Sequence, residues 1–185
     1  MASVAVGYGW MQQEGADDAF ERLFIAEYSR VVTVADRIVN DADEAEDVAQ
    51  VVFADFYGRY PADAQFASAW LYRAAVHTSL NALRGKRRRS RREATHERDA
   101  GALSAIRTHS PDPLRAVEVL ETQREVRVAL ARLPEKSAAI LALRYSGLSY
   151  AEVASTLGIK INQIGTLLRR AEIALRKEID RETSR

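Results

Sequence analysis

The residues with the clearest chemical purpose lie between 149 and 170, in the sequence SYAEVASTLGIKINQIGTLLRR. Their spacing is typical of a helix-turn-helix, in which the second of two short helices enters a DNA groove. The apolar residues that would hold the two helices together are Val153, Leu157, Ile159, Ile164 and Leu167. Ala154 is small enough for the crossing point, and Gly158 suits the turn. Ser149 and Glu152 have the spacing of a capping box. A plain helical hairpin would also accept leucines and a glycine, but it does not require all of these positions, so the spacing favours DNA binding.

The second helix of this pair carries polar side chains that can contact DNA. Ile161 and Ile164 are predicted to face inward, which leaves the polar positions for the groove and its phosphates. These positions are Lys160, Asn162, Gln163, Thr166, Arg169 and Arg170. Asn and Gln can pair with adenine and Arg with guanine, while the helix amino terminus favours a phosphate. The sequence leaves open which of the six read bases.

Basic residues are concentrated between Arg84 and Arg92, where seven of nine positions are cationic. Such a run binds phosphates in a salt-dependent, sequence-independent way. The positions that we expect to contact DNA are Arg84, Lys86, Arg87 and Arg88.

Upstream of the basic run, hydrogen-bonding residues alternate with aromatic ones. Arg73, His77 and Asn81 recur at intervals of four, so one side of a helix would present all three to bases. Phe66 or Trp70 could support unstacked bases, although an ordinary core position is the better interpretation for either residue alone. No second ligand at metal spacing accompanies His77, and no metal site is predicted.

An acidic segment, NDADEAEDVAQVVFADFY, occupies residues 40 to 57. Its apolar positions follow helical spacing and predict one buried stripe, formed by Ala45, Val48, Ala49, Val52, Phe53 and Phe56. The opposite stripe is Asp43, Asp47 and Gln50. Acids in a first turn are favoured by the helix dipole, but that effect does not require six of them between Asp41 and Asp55. A calcium loop is excluded by the missing central glycine. The residues alone leave a solvated face and a docking face for a basic partner equally open.

Composition limits the classes of function. The chain has 185 residues, 47% of them hydrophobic and 29% charged, as expected for a folded protein. It contains no cysteine, which excludes disulfides and thiolate chemistry. We find no nucleophile and base pair, no glycine-rich phosphate loop and no metal-ligand cluster, so an enzyme is not expected. The start, MASVAVGYGW, lacks the basic region of a signal peptide, and no apolar run is long enough for membrane insertion, so we expect a cytoplasmic protein.

Charge divides the chain into parts that would meet different partners. Residues 1 to 60 carry 12 acids and 4 bases, residues 61 to 118 carry 6 and 11, and residues 119 to 185 carry 8 and 12. An acidic first third is unsuited to phosphate, whereas the middle and the carboxyl end are suited to it.

Periodicity predicts an all-α fold of two small helical domains joined by a flexible linker. Almost every segment from Asp17 onward has helical spacing, and no strand pattern occurs. The boundaries that we expect are 1–18 for a loosely ordered tail, 19–93 for a first domain, 94–113 for the linker and 114–180 for a second domain.

Three stretches together resemble the extracytoplasmic-function sigma factors of the sigma-70 family, which are bacterial transcription initiation factors. DEAEDVAQVVF resembles their helix that binds core polymerase, WLYRAAVHTSLNALRGKRR their −10 helix, and ALARLPEKSAAILALRYSGLSYAEVASTLGI their −35-binding domain. The resemblance implies a region 2 bundle and a region 4 helix-turn-helix. It also implies that Asp47 and Gln50 centre a surface for the clamp helices of RNA polymerase.

The same resemblance implies that the first domain captures a base flipped from the promoter, held by the loop from Pro61 to Ser68. An anti-sigma factor is the implied regulator, with no cofactor. Two departures from the family pattern stand out. His77 and Asn81 replace its common Asn and Asp, and Gly165 and Leu167 replace a Lys and an Arg of the −35 helix. The alternative is a helix-turn-helix repressor or activator that uses residues 149 to 170 alone, with the first block for dimerisation or sensing.

Overall fold

The protein is seen in a computed structural model that describes the backbone of residues 8–96 and 113–183, with side chains described for 17–89, 119 and 121–181. These residues form seven helices and no strand: α1 (Tyr8–Val39), α2 (Ala42–Tyr57), α3 (Ala67–His96), α4 (Pro113–Arg132), α5 (Glu135–Tyr145), α6 (Tyr150–Leu157) and α7 (Ile161–Thr183). The predicted all-α fold is confirmed. We call α1–α3 the amino-terminal unit and α4–α7 the carboxyl-terminal unit.

In the amino-terminal unit, α1, α2 and α3 pack against one another around one apolar core. The six apolar positions predicted for the acidic segment are the buried residues of α2, so that prediction is confirmed. Facing them are Val34 and Ile38 of α1 and Leu71 and Leu80 of α3, all without solvent exposure. This burial fixes the rotation of α2, and its acidic side therefore points outward.

The turn between α1 and α2 explains why two helices form here instead of one. Asn40 has a φ of 51°, in the left-handed region that Asn tolerates better than most residues, and it ends α1. Asp41 follows with extended backbone, and its Oδ1 accepts the Glu44 N–H at 3.2 Å. This N-cap bond satisfies one of the free N–H groups at the start of α2.

In the carboxyl-terminal unit, the predicted helix-turn-helix is α6 and the first turns of α7. Ser149 and Glu152 make the reciprocal bonds of a capping box, and Gly158 has a φ of 63°. Four apolar side chains that hold the pair in place are fully buried. Val153 and Ile164 belong to the pair, and Leu143 and Leu148 precede it in the chain. Local signals in the sequence therefore determined both ends of α6.

The described helices extend beyond all four of the expected boundaries, by one residue where α4 begins at Pro113 and by three where α7 ends at Thr183. α1 begins at Tyr8, although residues up to Asp18 were expected to be loosely ordered. The packed part of α1 anchors the helix. Residues from Met11 to Glu14 have high helix propensity, so the helix can propagate through them towards its amino terminus. α3 continues to His96, and of the expected linker, residues 97–112 lie outside the described residues.

Two glycines of the helix-turn-helix provide a matched test of the turn. Both have open space where a Cβ would be added, but only Gly158 has a positive φ. Gly158→Ala should therefore lower the free energy of unfolding by about 1 kcal/mol, because the left-handed conformation disfavours a Cβ. Gly165→Ala, inside α7, should raise it by about 0.5–1 kcal/mol. Urea unfolding followed by circular dichroism measures both, and shifts of the same sign would contradict this explanation.

Candidate nucleic-acid interface

The polar residues predicted to meet the −35 element lie together on the outer side of α7. All six side chains are exposed, namely those of Lys160, Asn162, Gln163, Thr166, Arg169 and Arg170. Beneath them, Ile164, Leu168 and Ala171 form the buried stripe that holds α7 in place. Within the described part of the chain, no side-chain hydrogen bond or ion pair engages the six polar residues, so they remain available to a ligand.

One prediction about this helix was wrong. Ile161 was expected to face inward, but its side chain is 56% exposed. It is the first residue of α7, one turn before Ile164, and at this helix end the core does not cover it. Ile161 is therefore an apolar position within the exposed polar surface, where a thymine methyl group is a suitable contact.

Arg73, His77 and Asn81 share an exposed side of α3, as predicted. The Asn81 amide lies 3.3 Å from a His77 ring nitrogen. Arg73 is not free: its Nε donates to the main-chain oxygen of Thr156 in α6 at 2.6 Å. The carboxyl-terminal unit thus contacts one end of this row.

The two candidate stacking residues have different surroundings. Trp70 is half-buried, with its ring centroid 5.4 Å from those of Phe56 and Tyr60, so packing accounts for it. Phe66 is 48% exposed and meets Tyr60 edge to face at 5.4 Å. Phe66 ends the loop between α2 and α3, which makes it the aromatic better placed to stack on an unpaired base.

The basic residues at the end of α3 are partly engaged within the protein. Arg84 Nη2 donates to the main-chain oxygen of Leu133 at 3.1 Å, and Lys86 Nζ lies 2.5 Å from Glu44 Oε2 in α2. Arg87 is half-buried, and Arg88 is exposed. Phosphate binding at Arg84 and Lys86 would therefore replace existing partners.

Asp43, Asp47 and Gln50 are exposed on α2, opposite its buried stripe. Next to Gln50 is an apolar groove of about 410 Å³ whose lining includes Phe20, Phe24 and Tyr57. This groove was not predicted from the sequence. Phe20 and Phe24 are four residues apart on α1, and that spacing was the available signal.

A polar network that was not predicted from the sequence joins α1, α3 and α6. The Tyr72 hydroxyl donates to Glu27, and the burial of Tyr72 raises its pKa. Arg30 lies 5.2 Å above the Tyr72 ring, and its Nη2 donates to Glu152 Oε1 at 2.5 Å. Glu152 also accepts the Ser149 N–H at 2.7 Å. Its pKa falls from 4.5 to about 2, chiefly through the Arg30 bond. The glutamate that caps α6 therefore also binds the amino-terminal unit.

This network should make stability depend on pH below 5. Because the pKa of Glu152 is lowered in the folded protein, its contribution is present above about pH 4.5 and is lost as the pH falls towards 2. Glu152→Gln keeps a side chain that can still cap α6 but removes the charge.

The wild-type protein should therefore lose more stability than Glu152→Gln between pH 5 and pH 3, as measured by urea unfolding. The difference should not exceed about 1 kcal/mol, because the Glu152 side chain is 38% exposed. Parallel pH profiles for the two proteins would show that the ion pair does not contribute.

The described residues offer little for other classes of site. No helix among them is long and apolar enough to cross a membrane. They also contain no group of three His, Cys, Asp or Glu side chains arranged to hold a metal ion.

Comparison with known proteins assigns each unit to a family. Residues 23–89 match Sigma-70 region 2, and residues 123–175 match Sigma-70 region 4. The RNA polymerase sigma-H factor of Pseudomonas aeruginosa is 31% identical over 177 residues, covering 90% of this chain and 89% of the relative. The ECF RNA polymerase sigma factor SigW of Bacillus subtilis is 27% identical over 173 residues, covering 90% and 92%.

Two solved structures share the fold. CnrH, solved in complex with the cytosolic domain of CnrY, superimposes with a TM-score of 0.53 at 19% identity, covering 90% of this chain and 91% of that one. The sigma factor RpoE of Bartonella quintana, solved with the anti-sigma factor NepR, gives 0.50 at 18% identity, covering 87% and 96%. Since both family regions occur in order on the two described units, the chain belongs to the extracytoplasmic-function group of the sigma-70 family of RNA polymerase sigma factors.

Proposed function

We propose that the three exposed surfaces divide the work of a sigma factor among them. In this proposal the acidic side of α2 binds core RNA polymerase, the outer side of α3 with the preceding loop binds the −10 element, and α7 reads the −35 element. The observation that carries it is the placement of acidic and cationic side chains on separate exposed faces, each held by a buried stripe on the opposite side of its helix.

The acidic face suits a basic partner and not DNA. Asp43 and Asp47 are exposed, and phosphate would be repelled there. The neighbouring groove lined by Phe20 and Phe24 adds an apolar surface beside these charges. A helical surface with cations beside apolar side chains would complement both features, and the family assigns that role to the polymerase clamp helices.

The −10 surface would act by binding energy alone. Exposed Phe66 offers a stacking face just before α3, and His77 and Asn81 offer hydrogen bonds farther along that helix. A base that leaves the duplex loses stacking and pairing, and these contacts would replace part of that loss. The proposal therefore assigns the protein no chemical step of its own.

Within α7, position along the helix separates the proposed roles. Lys160 immediately precedes the helix, and Asn162 and Gln163 lie in its first turn, where a recognition helix contacts base edges. Arg169 and Arg170 lie two turns later and suit base or phosphate contacts.

A regulator that dimerises through its first unit is the less favoured function. Its dimer contact would need an apolar outer face on α2, whereas Asp43, Asp47 and Gln50 occupy that face. By analogy with the solved complexes of CnrH and RpoE, we also propose an anti-sigma protein as regulator. We place the protein in the cytoplasm, with RNA polymerase.

Asp47→Lys should abolish binding to core RNA polymerase and leave the fold intact, because Asp47 is exposed and the new cation would oppose a basic partner. Surface plasmon resonance with immobilised core enzyme measures the affinity, and circular dichroism checks the fold. Asp36→Lys, which makes the same charge change at an exposed acid of α1, is the control and should bind normally. Equal affinities for the two variants would remove the docking role from α2.

Arg169→Ala should weaken promoter binding by the polymerase holoenzyme. If Arg169 reads a base, the loss of binding free energy is about 1–3 kcal/mol and depends on the −35 sequence. If Arg169 contacts a phosphate, the loss of binding free energy is nearly the same for all sequences. Gel-shift titrations on two promoters that differ at the −35 element separate the two cases. Arg176→Ala, two turns farther along α7, is the matched control. An unchanged affinity for Arg169→Ala would exclude this residue from the interface.

A further inference from the structure

The outer side of α7 carries an exposed apolar side chain next to a glycine, and packing among the described residues requires neither. Ile161 is the first residue of α7 and is 56% exposed. Gly165 lies four residues later, and a Cβ added to it would meet no atom within 4 Å. Because residues four apart lie on the same side of a helix, Ile161 and Gly165 are neighbours on the face that we assign to DNA.

Backbone conformation does not explain the glycine at position 165. Unlike Gly158, Gly165 has no positive φ, and it lies inside α7, where glycine is less favourable than almost any other residue. Nothing in the described part of the chain comes close enough to exclude a side chain there. A glycine also allows a ligand to approach the backbone closely. In the proposed function, the ligand on this face is the edge of a base pair.

The two positions form a shallow notch on α7, bordered by Ile161 at one end and by Arg169 at the other. Side chains on a helix lean towards its amino terminus, so a side chain at position 165 would cover the surface beside Ile161. With glycine at this position, the flank of Ile161 stays open. Arg169, one turn after Gly165, is exposed. The notch therefore has an apolar end and a cationic end.

Thymine is the base whose edge complements both ends of the notch. In the major groove, each base pair presents hydrogen-bonding groups, and thymine adds a C5-methyl group beside its O4 acceptor. Ile161 can cover the methyl group, and Arg169 can donate to O4 or to the neighbouring base. Cytosine would place no methyl group against Ile161, and its amino donor would meet an arginine that cannot accept a hydrogen bond.

We propose that Ile161 and Gly165 select a thymine in the −35 element by enclosing its C5-methyl group between the Ile161 side chain and the uncovered backbone of α7. This inference rests on the −35 function proposed above for α7, and it names one base that the helix reads. Gly165 acts by leaving room for the base, and Ile161 acts by removing the methyl group from water.

Replacement of thymine by uracil tests the methyl contact, because the two bases differ only by that methyl group. The probe is a promoter identified by sequencing the 5′ ends of transcripts made with this protein. Uracil replaces each −35 thymine, on either strand, one position at a time. At one position, uracil should weaken binding of the polymerase holoenzyme about fourfold, the effect expected for one buried methyl group. Competition gel shifts measure the ratio of the two affinities.

Three variants assign that sensitivity to the notch. Ile161→Ser should bind the thymine and uracil promoters equally well, because no apolar side chain remains to cover the methyl group. Ile161→Val should keep most of the preference for thymine. Gly165→Gln should lose the preference, because its side chain covers the notch. Gln is a better helix former than Gly, so a loss of the preference in this variant cannot be attributed to unfolding of α7.

Ile173→Ser is the matched control. Ile173 is 49% exposed on the same helix, about three turns after Ile161 and outside the notch. This variant makes the same chemical change as Ile161→Ser and should keep the wild-type preference for thymine.

Two results would overturn the proposal. One is a promoter in which uracil weakens binding at none of the −35 thymines, and the other is an Ile161→Ser variant that keeps the wild-type preference. Either result would leave Ile161 to a contact with another protein. If no transcripts begin at new sites with this protein, the proposed function itself is contradicted, and the two failures are thereby distinguished.

Discussion

Helix α2 buries six side chains against its neighbours, and this packing decides which of its residues can meet a partner. With Val52 and Phe56 in the core, the acidic side has one possible direction. The same rule applies to α7, where burial of Ile164 and Leu168 exposes the polar positions between them. On each of these helices, the proposed binding surface therefore lies opposite the buried stripe. Loss of the packing would let the helix rotate and move the functional side chains away from their partners.

Helix ends are the second constraint on this fold. Asp41, Ser149 and Gly158 satisfy helix ends through local bonds, which is why α2 and α6 begin and end where they do. Other ends are satisfied by arginines from the opposite unit. Local capping bonds therefore stabilise helices within each unit, whereas arginine bonds to distant helix ends join the two units. Phosphate groups also bind arginine, so the same side chains that cap helix ends can contact DNA.

Structural features that depend on residues close together in the chain could be predicted from the sequence. The buried stripe of α2 and the capping box of α6 follow from spacing alone, and both occur as expected. The start of α1 at Tyr8 was missed because a helix anchored by packing can propagate through a segment whose own signals are weak. Ile161 was placed inward because periodicity ignores where the core stops.

Contacts between distant residues could not be predicted in the same way. Arg30 and Glu152 lie far apart in sequence, and no pattern around either residue indicates the other. Arg73 was assigned to DNA from its place in a row of polar residues, but the same exposure lets it reach Thr156. Which surfaces of the two units meet depends on their complete shapes, and the spacing of residues along the chain does not reveal those shapes.

The division of labour proposed for this protein has two separate units reading two promoter elements for one polymerase. Its most direct test is transcription of a fragmented genomic library by purified core RNA polymerase, with and without this protein, followed by sequencing of the 5′ ends. We expect new start sites that share two upstream elements at a fixed spacing. A folded preparation that binds core enzyme and DNA but produces no new starts would contradict it.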